Sequence, residues 1–334
     1  MVSLLSGCLI SLAQTVASTP AGAAAPASSA APLNTAPVTE RLDTLGLEGS
    51  DLEAASPLLG EKADYPQFTR ELLQLQWRGG DPIDLYVIKP ANVKNPPVVL
   101  FLYGFPTDTD RFLNNQYCQT ATKDGFAAVG FVSALTGPRF HDRPMKEWFV
   151  SELQESLATS VHDVQMILNY LATRGDLDME HVGMFGQGSG GTIAILAAAA
   201  DPRLKAVDVL DPWGDWPAWL LRSPRIPEEE RKNYLTPAFE ASVANFDPVK
   251  WLPKVNDRAF RLQQTAFDPT TPPEAKLSLK AALPPTAKYL HYDNVQDYKE
   301  HAVAGGQILT WLHSQVNPTK GASSQAAVTT APLK

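Results

Sequence analysis

The chain has 334 residues, of which 44% are apolar, and a formal net charge of −8 at neutral pH. This length and composition suit a globular protein of one large or two medium domains with a sizeable core. The acidic balance and the lack of any long basic run argue against a nucleic-acid-binding protein. No apolar stretch is long enough to span a bilayer, which argues against an integral helical membrane protein.

The first residues have the features of an export signal. The motif LSGC, which ends at Cys8, resembles the lipobox of bacterial lipoproteins, whose cysteine becomes the lipidated first residue. The alternative is an ordinary signal peptide with its apolar core in residues 2–13 and cleavage near Ala17. Both interpretations assign residues 1–17 to export. We therefore expect a periplasmic or envelope-anchored protein, with Cys8 as the candidate lipid anchor.

Low-complexity segments flank the region that has the composition of a folded domain. Residues 18–40 are nearly uncharged and rich in Ala, Pro and Ser, which predicts a disordered linker. Residues 314–334 are polar and predict a disordered tail, so the domain is expected over residues 41–313. Removal or modification of Cys8 would leave Cys118 alone, and no disulfide framework is expected.

Within the domain, strand and helix patterns alternate. Apolar runs with β-branched residues predict buried strands, and apolar spacings of three and four predict amphipathic helices. Strands are predicted at Phe68–Arg78, Asp84–Ile88, Val98–Tyr103, Phe126–Val132, Val182–Phe185, Lys205–Leu210, Phe260–Thr265 and Lys288–Tyr292. Helices are predicted at Asp110–Lys123, from Leu153 to Arg174, after the turn that follows Phe185, and at Ala302–His313. This order predicts an α/β protein with a doubly wound, mostly parallel sheet.

A segment at about residues 211–255 interrupts the alternation. It holds several prolines and three tryptophans, and it follows the end of a strand, where ligands bind in such sheets. We interpret it as a small helical lid, with Trp213 and Trp216 as candidate pocket residues. The alternative is that the tryptophans only pack the insertion onto the body of the domain.

The sequence VGMFGQGSGGTIAILAAAA, from Val182 to Ala200, predicts a strand, a glycine-rich turn and an apolar helix. This is the layout of a nucleophile elbow, whose motif is Gly-x-Ser-x-Gly. The frame with glycine at both flanks places Gly188 at the nucleophile position, one residue before Ser189. The other frame places Ser189 there but puts Gln187 where a small residue is normally required. Steric demands at the turn favour the first frame.

From about Phe68 to His313 the chain resembles α/β-hydrolases of the dienelactone-hydrolase, acetyl-xylan-esterase and prolyl-oligopeptidase type. The resemblance rests on the sequences VVLFLYGFP, DVQMILNYLATRGDLDMEHVGMFGQGSGG, DPRLKAVDVLDP and QTAFDPTTPPEA, which occur in the order and at the spacing of that family. It implies the α/β-hydrolase fold. It also implies an esterase or peptidase site made of a nucleophile, a histidine, an acid and two oxyanion-hole donors.

For the acid and the oxyanion hole, this sequence has residues at the positions that the family uses. The resemblance assigns the acid to Asp268, with Asp211 as a second candidate after the preceding strand. The oxyanion donors would be the backbone amides of Phe105 and Ser189, and Tyr103 would line the pocket beside them.

The histidine has no clear match. The family position, just past the last strand, holds Gln296 or Asp297, whereas His301 lies further on and His291 lies within the strand. His301 is therefore either a displaced catalytic base or an ordinary surface histidine.

Two hypotheses follow. In the first, the protein is a degenerate hydrolase with Gly188 at the elbow, weakly active or non-catalytic, which binds a small molecule or peptide in a lidded pocket. In the second, it is an active serine ester or peptide hydrolase that uses Ser189 with Asp268 and His301. Neither hypothesis includes a cofactor or a metal, since the sequence has no ligand spacing or nucleotide-binding fingerprint for one.

Overall fold

The computed structural model describes residues 39–104, 109–135, 150–304 and 306–316, which belong to one compact unit. The predictions for Cys8, the export signal, the linker up to residue 38, Phe105 and residues 317–334 lie outside the described residues. No helix in the described part of the chain is both long and apolar enough to cross a membrane.

The described residues form a nine-stranded sheet with the spatial order β1-β2-β3-β5-β4-β6-β7-β8-β9. β1, β2, β3 and β5 pair antiparallel in that order, and all other pairings are parallel. The strands are β1 Leu58–Asp64, β2 Phe68–Leu75, β3 Ile83–Pro90, β4 Pro97–Leu102, β5 Ala127–Phe131, β6 Asp178–Gln187, β7 Leu204–Leu210, β8 Ala259–Thr265 and β9 Lys288–Tyr292. The predicted mostly parallel α/β architecture is confirmed.

Helices cover both faces of this sheet. They are α1 Asn115–Thr122, α2 Leu153–Thr173, α3 Ser189–Ala200, α4 Trp216–Arg222, α5 Arg231–Tyr234, α6 Pro237–Val243, α7 Pro248–Trp251, α8 Pro273–Ala281, α9 Val295–Tyr298 and α10 Gln307–Val316. Short 3₁₀ turns lie at Asp110–Leu113, Ala244–Phe246 and Leu252–Lys254, and Lys299–Ala304 is π-helical.

The central strands are buried on both faces, as their continuous apolar sequence predicts. In β4, Leu100 packs in the core that includes α2 and α3, while Phe101 packs in the opposite core with residues of α1 and α10. Alternate side chains of one strand point to opposite faces, so both faces of the sheet need cover. The buried sheet holds the loops at its carboxyl edge on a rigid base.

The insertion at residues 211–255 consists of α4 to α7 and two of the 3₁₀ turns. Its start is organised by Asp247, whose carboxylate accepts the backbone N–H groups of Asp215 at 3.0 Å and Trp216 at 2.9 Å. Proline in the first turn of α4, α6 and α7 suits the helix starts, where no N–H partner is required.

Three elements differ from the sequence-derived expectation. β1 is an edge strand exposed along almost its whole length, so its sequence LLGEKAD has no buried alternation to detect. The helix expected at Asp110–Lys123 is split, because the Asn114 side chain caps α1 by accepting the Tyr117 N–H at 3.0 Å. The closing helix continues to Val316, three residues into the segment expected to be tail, because Val316 is buried against the sheet.

Candidate functional site

A pocket of about 340 Å³ opens at the carboxyl ends of β4, β6, β7 and β8. Parallel strands end together at this edge, which is where ligands bind in doubly wound sheets. The lining combines aromatic, acidic and basic side chains with a glycine turn. The described residues that line it are Tyr103, Gly104, Arg111, Gln187, Gly188, Asp211, Trp213, Arg225, Thr265, Phe267, Asp268, Pro269 and Thr270.

Gly188 lies at the sharp turn between β6 and α3. Its φ of 55° and ψ of −122° are a backbone conformation that glycine adopts far more readily than other residues. The turn is fixed by its own hydrogen bonds, with the Gly188 N–H donating to the Leu210 carbonyl at 2.9 Å. A Cβ placed on Gly188 would lie 3.6 Å from Trp213 Nε1 and 3.8 Å from Gly104 Cα, so the pocket has room for a side chain here.

The glycines on either side of this turn are packed much more tightly. A Cβ on Gly186 would lie 2.3 Å from the Gly190 carbonyl oxygen, and one on Gly190 would lie 2.1 Å from the Leu102 carbonyl oxygen. Both clashes involve backbone atoms, which cannot rotate away. The structure therefore requires glycine at both flanks of Gly188, as the frame centred on Gly188 supposes.

Ser189 is the first residue of α3, and it is only 1% exposed. It is not among the residues that line the pocket. A position one residue into the helix turns its side chain by about 100° from that of the preceding residue. The only serine of the glycine-rich turn thus lies in the packing of the helix start.

Asp268 lines the pocket on the loop after β8 and shapes that loop. Its carboxylate accepts the backbone N–H groups of Thr270 at 2.8 Å and Thr271 at 3.1 Å. Lys276 Nζ of α8 lies 3.6 Å from the same carboxylate. This carboxylate is oriented by its loop, and it faces the pocket without a described histidine beside it.

Asp211 is the second carboxylate of the pocket and directly follows β7. Its φ of 47° is unusual for a residue with a side chain, and such strain often marks functional sites. Thr265 holds the carboxylate through its N–H at 2.7 Å and its hydroxyl at 2.8 Å. Burial raises the pKa of Asp211 to about 6, the charge of Asp268 adds to this rise, and the hydrogen bonds from Thr265 oppose it.

His301 lies away from the pocket, on the π-helical segment before α10. Its side chain is 60% exposed, and its Nδ1 lies 2.8 Å from Asp297 Oδ1 and 3.0 Å from the Asp297 carbonyl oxygen. The interaction with the Asp297 carbonyl raises the pKa of His301. His291 is also exposed and lies 3.3 Å from Asp293. Of Ser189, Asp268 and His301, only Asp268 lines the pocket, and the described lining contains no serine, cysteine or histidine.

The three aromatic candidates have different positions. Tyr103 and Trp213 line the pocket, whereas Trp216 is buried inside the insertion, where its Nε1 donates to the Phe246 carbonyl at 2.9 Å. Trp216 and Trp213 each pack against Trp219, at ring-centroid distances of 5.7 and 5.1 Å. Trp216 is therefore a packing residue of the insertion, which was the alternative to a pocket role for the tryptophans.

Two arginines of the pocket were absent from the sequence-derived candidates. Arg111 lies over the ring of Tyr103 at 4.0 Å, and Arg225 of the insertion lies 5.4 Å from the ring of Trp213. Neither belongs to a recognisable motif, and only the fold brings each one to its ring. With Asp211 and Asp268 they give the pocket both signs of charge. The described residues contain no cluster of three or more His, Cys, Asp or Glu side chains suited to a metal ion.

Comparison with known proteins agrees with this architecture. The sequence profile of the dienelactone hydrolase family matches residues 83–259, which is 177 of the 334 residues. The predicted hydrolase YtaP of Bacillus subtilis (strain 168) is 29% identical over 151 residues, which are 40% of this chain and 50% of YtaP. The chain thus matches about half the length of this curated relative.

Solved structures share the fold at low sequence identity. The acetyl xylan esterase from Paenibacillus sp. R4 superposes with a TM-score of 0.59 at 17% identity, covering 78% of this chain and 88% of the esterase. Acetyl xylan esterase 1 from Thermoanaerobacterium sp. JW/SL YS485 gives 0.60 at 14% identity, covering 79% and 89%. Together with the family profile, they confirm the predicted resemblance to the α/β-hydrolase superfamily.

Proposed function

The chain belongs to the dienelactone hydrolase family, and we propose that it is a member which binds a ligand in its pocket and has little or no serine-hydrolase activity. The single observation that carries the proposal is the turn after β6. Gly188 occupies the strained position that faces the pocket, and the neighbouring Ser189 is 1% exposed. Nucleophilic catalysis needs a side-chain nucleophile within reach of a base, and the described lining offers neither a serine nor a histidine.

The pocket that remains supports a binding role. A volume of about 340 Å³ accommodates a small molecule or the end of a peptide. Tyr103, Trp213 and Phe267 offer aromatic surface, while two carboxylates and two arginines offer acceptors and donors for polar groups. An oxyanion hole and a binding pocket alone retain on the order of 10³–10⁴-fold acceleration over water in a serine hydrolase without its triad. Weak residual turnover is therefore compatible with this function.

Hydrolysis of an activated ester such as p-nitrophenyl acetate tests the proposal. We expect wild type and Ser189→Ala to hydrolyse it at the same slow rate, because Ser189 is buried in the helix start. His301→Gln serves as a second variant, since His301 is exposed and interacts within its own helical segment. Rapid turnover that is lost in both variants would overturn the proposal and support an active hydrolase using Ser189, Asp268 and His301.

We further propose export to the cell envelope, supported by the LSGC motif at Cys8 and the linker composition that follows it. Expression of the full chain in a bacterial host tests this, with Cys8→Ser as the matched variant. Lipidation predicts membrane fractionation and a lipid mass increment that the variant lacks. A soluble periplasmic product cleaved near Ala17 would support the ordinary signal peptide, and a cytosolic, uncleaved chain would contradict export.

A further inference from the structure

The sheet has two edge strands, β1 and β9, and among the described residues each has a neighbouring strand on one side only. β1 is guarded against further pairing. Its pairing with β2 has a register shift between Leu59 and Glu61. Charged side chains follow the shift at Glu61, Lys62 and Asp64. Bulges and charges are common devices that keep an edge strand from pairing with another chain.

The other edge strand, β9, is not guarded in this way. It pairs with β8 without a register shift. Its sequence KYLHY has one lysine, at the first position, and Tyr, Leu and His in the middle. The Leu290 side chain is half-buried and belongs to neither core cluster of the described residues. Because a regular edge strand with apolar side chains is a template for a further strand, β9 is the edge that is open to pairing.

The backbone groups of β9 alternate between its two sides. The Tyr292 carbonyl accepts from the Ala266 N–H at 2.9 Å, so Tyr292 directs its backbone groups toward β8. Successive residues of a strand direct these groups to opposite sides, so Leu290 also faces β8, whereas Tyr289 and His291 face outward. No described residue forms a hydrogen bond with the outward backbone groups. The free side of β9 therefore presents two N–H donors and two C=O acceptors.

We propose that β9 pairs with β9 of a second copy of this chain, so that the two sheets join through antiparallel strands. A two-fold axis perpendicular to the sheet relates the two copies, as expected for a homodimer. Outward-facing residues must then lie opposite outward-facing residues. With Tyr289 opposite His291 of the second copy, all five residues of β9 are paired and Leu290 lies opposite its own equivalent. This dimer does not depend on whether the pocket is catalytic.

The side chains are self-complementary in this register. The rings of Tyr289 and His291 are stacked within one strand at 6.5 Å, and each would lie opposite the other residue type across the axis. On the other face, Leu290 meets Leu290 of the second copy. Lys288 lies at the end where Asp293 of the second copy leaves the strand, and the Asp293 side chain is 86% exposed. Aromatic, apolar and opposite-charge pairs across strands all stabilise strand pairing.

Sedimentation equilibrium over a range of protein concentrations tests the proposal. The full chain is used with Cys8→Ser, so that no lipid anchor contributes to association. We expect a reversible equilibrium between monomer and dimer, because one short strand from each copy makes a small interface. A monomer at every concentration would overturn the proposal, whether the edge is free or covered by another segment.

A proline variant identifies the edge that is used. The His291 N–H points outward, so His291→Pro leaves the hydrogen bonds to β8 intact. It removes two hydrogen bonds from the symmetric dimer, and we expect the dissociation constant to rise on the order of tenfold. Circular dichroism checks that the variant is folded. An unchanged dissociation constant in the folded variant would overturn the assignment to β9.

The matched control for this variant lies on the opposite edge of the sheet. The Tyr65 N–H donates to the Phe68 carbonyl at 2.8 Å, so Tyr65 faces β2 and Lys62, three residues earlier, faces outward. Lys62→Pro should therefore leave the dissociation constant of the dimer unchanged. An equal rise in Lys62→Pro and His291→Pro would overturn the assignment to β9.

Disulfide cross-linking tests the register and still decides if the proline variant does not fold. Leu290 and its equivalent form a pair without mutual hydrogen bonds, whose Cα atoms lie about 4.5 Å apart, within the range for a disulfide. Leu290→Cys should therefore give a covalent dimer under mild oxidation. Lys288→Cys is the matched control, because the two equivalents of residue 288 are about 13 Å apart along the strands. No cross-link in Leu290→Cys, or equal cross-linking in both variants, would overturn the pairing.

Discussion

The turn after β6 and the loop after β8 both line the pocket, but they present different groups to it. The turn has a strained backbone conformation at Gly188, which lines the pocket without a side chain. The loop presents the carboxylate of Asp268, which accepts hydrogen bonds from two backbone N–H groups of the same loop. The comparison teaches that different interactions fix the two regions, glycine packing in the turn and hydrogen bonds to a carboxylate in the loop.

The largest effect should come from the packing of the turn. Gly190→Ala would place a Cβ 2.1 Å from the Leu102 carbonyl oxygen, so we expect a loss of about 3 kcal/mol or more in the free energy of unfolding. Gly188→Ala is the matched control, since its Cβ has room and only the strained backbone conformation costs about 1–3 kcal/mol. Urea unfolding measures both. Equal losses in the two variants would mean that packing does not preserve the turn.

A pH-dependent effect on stability is expected at Asp211. The pKa of Asp211 is raised to about 6, so the folded state binds more protons than the unfolded state between the ordinary value and 6. The contribution of Asp211 to stability is therefore present at low pH and is lost as pH rises through about 6, by roughly 3 kcal/mol.

Asp211→Asn should remove this loss, so the variant gains stability relative to wild type between about pH 4 and about pH 7.5. Urea unfolding of both proteins at each pH gives the difference. A stability difference between Asp211→Asn and wild type that is constant with pH would contradict the assignment.

Weakening the hydrogen bonds that Asp268 accepts in the loop after β8 should have a smaller effect on stability. Asp268→Asn leaves one acceptor oxygen for the N–H groups of Thr270 and Thr271, so we expect a loss of about 1–2 kcal/mol in thermal or urea unfolding. Esterase activity of the purified variant should equal that of wild type. A large loss of activity with unchanged stability would instead identify Asp268 as catalytic.

The smallest effect is expected at the displaced histidine. His301 is 60% exposed and its hydrogen-bond partner among the described residues is Asp297, so His301→Gln should leave the free energy of unfolding nearly unchanged. Its activity should also be unchanged. An activity loss in this variant would place His301 in a working site and contradict the comparison of the two loops.

The fold was predictable because its pattern is local. Continuous apolar strands such as Val98–Tyr103 and the apolar stripe of α2 specify buried elements, and their alternation specifies the sheet. The need for glycine at positions 186 and 190 was also predictable, because it reflects close backbone contacts at the turn. β1 was not predicted, because an exposed edge strand lacks the alternation of buried apolar residues that identifies a strand.

The site was predictable only in part. Asp268, Tyr103 and Trp213 follow strand ends, so the topology alone brings them to the pocket. Arg111 lies in a 3₁₀ turn and Arg225 lies in the insertion. No local sequence pattern predicts where either segment lies relative to the pocket.

The central claim is that the pocket has no activated serine, and covalent labelling tests it most directly. The intact mass of the folded domain is measured after incubation with a fluorophosphonate probe, beside Ser189→Ala. The account predicts that neither protein gains an adduct. A stoichiometric adduct on wild type that disappears in Ser189→Ala would show an activated Ser189 and contradict the assignment of the elbow position to Gly188.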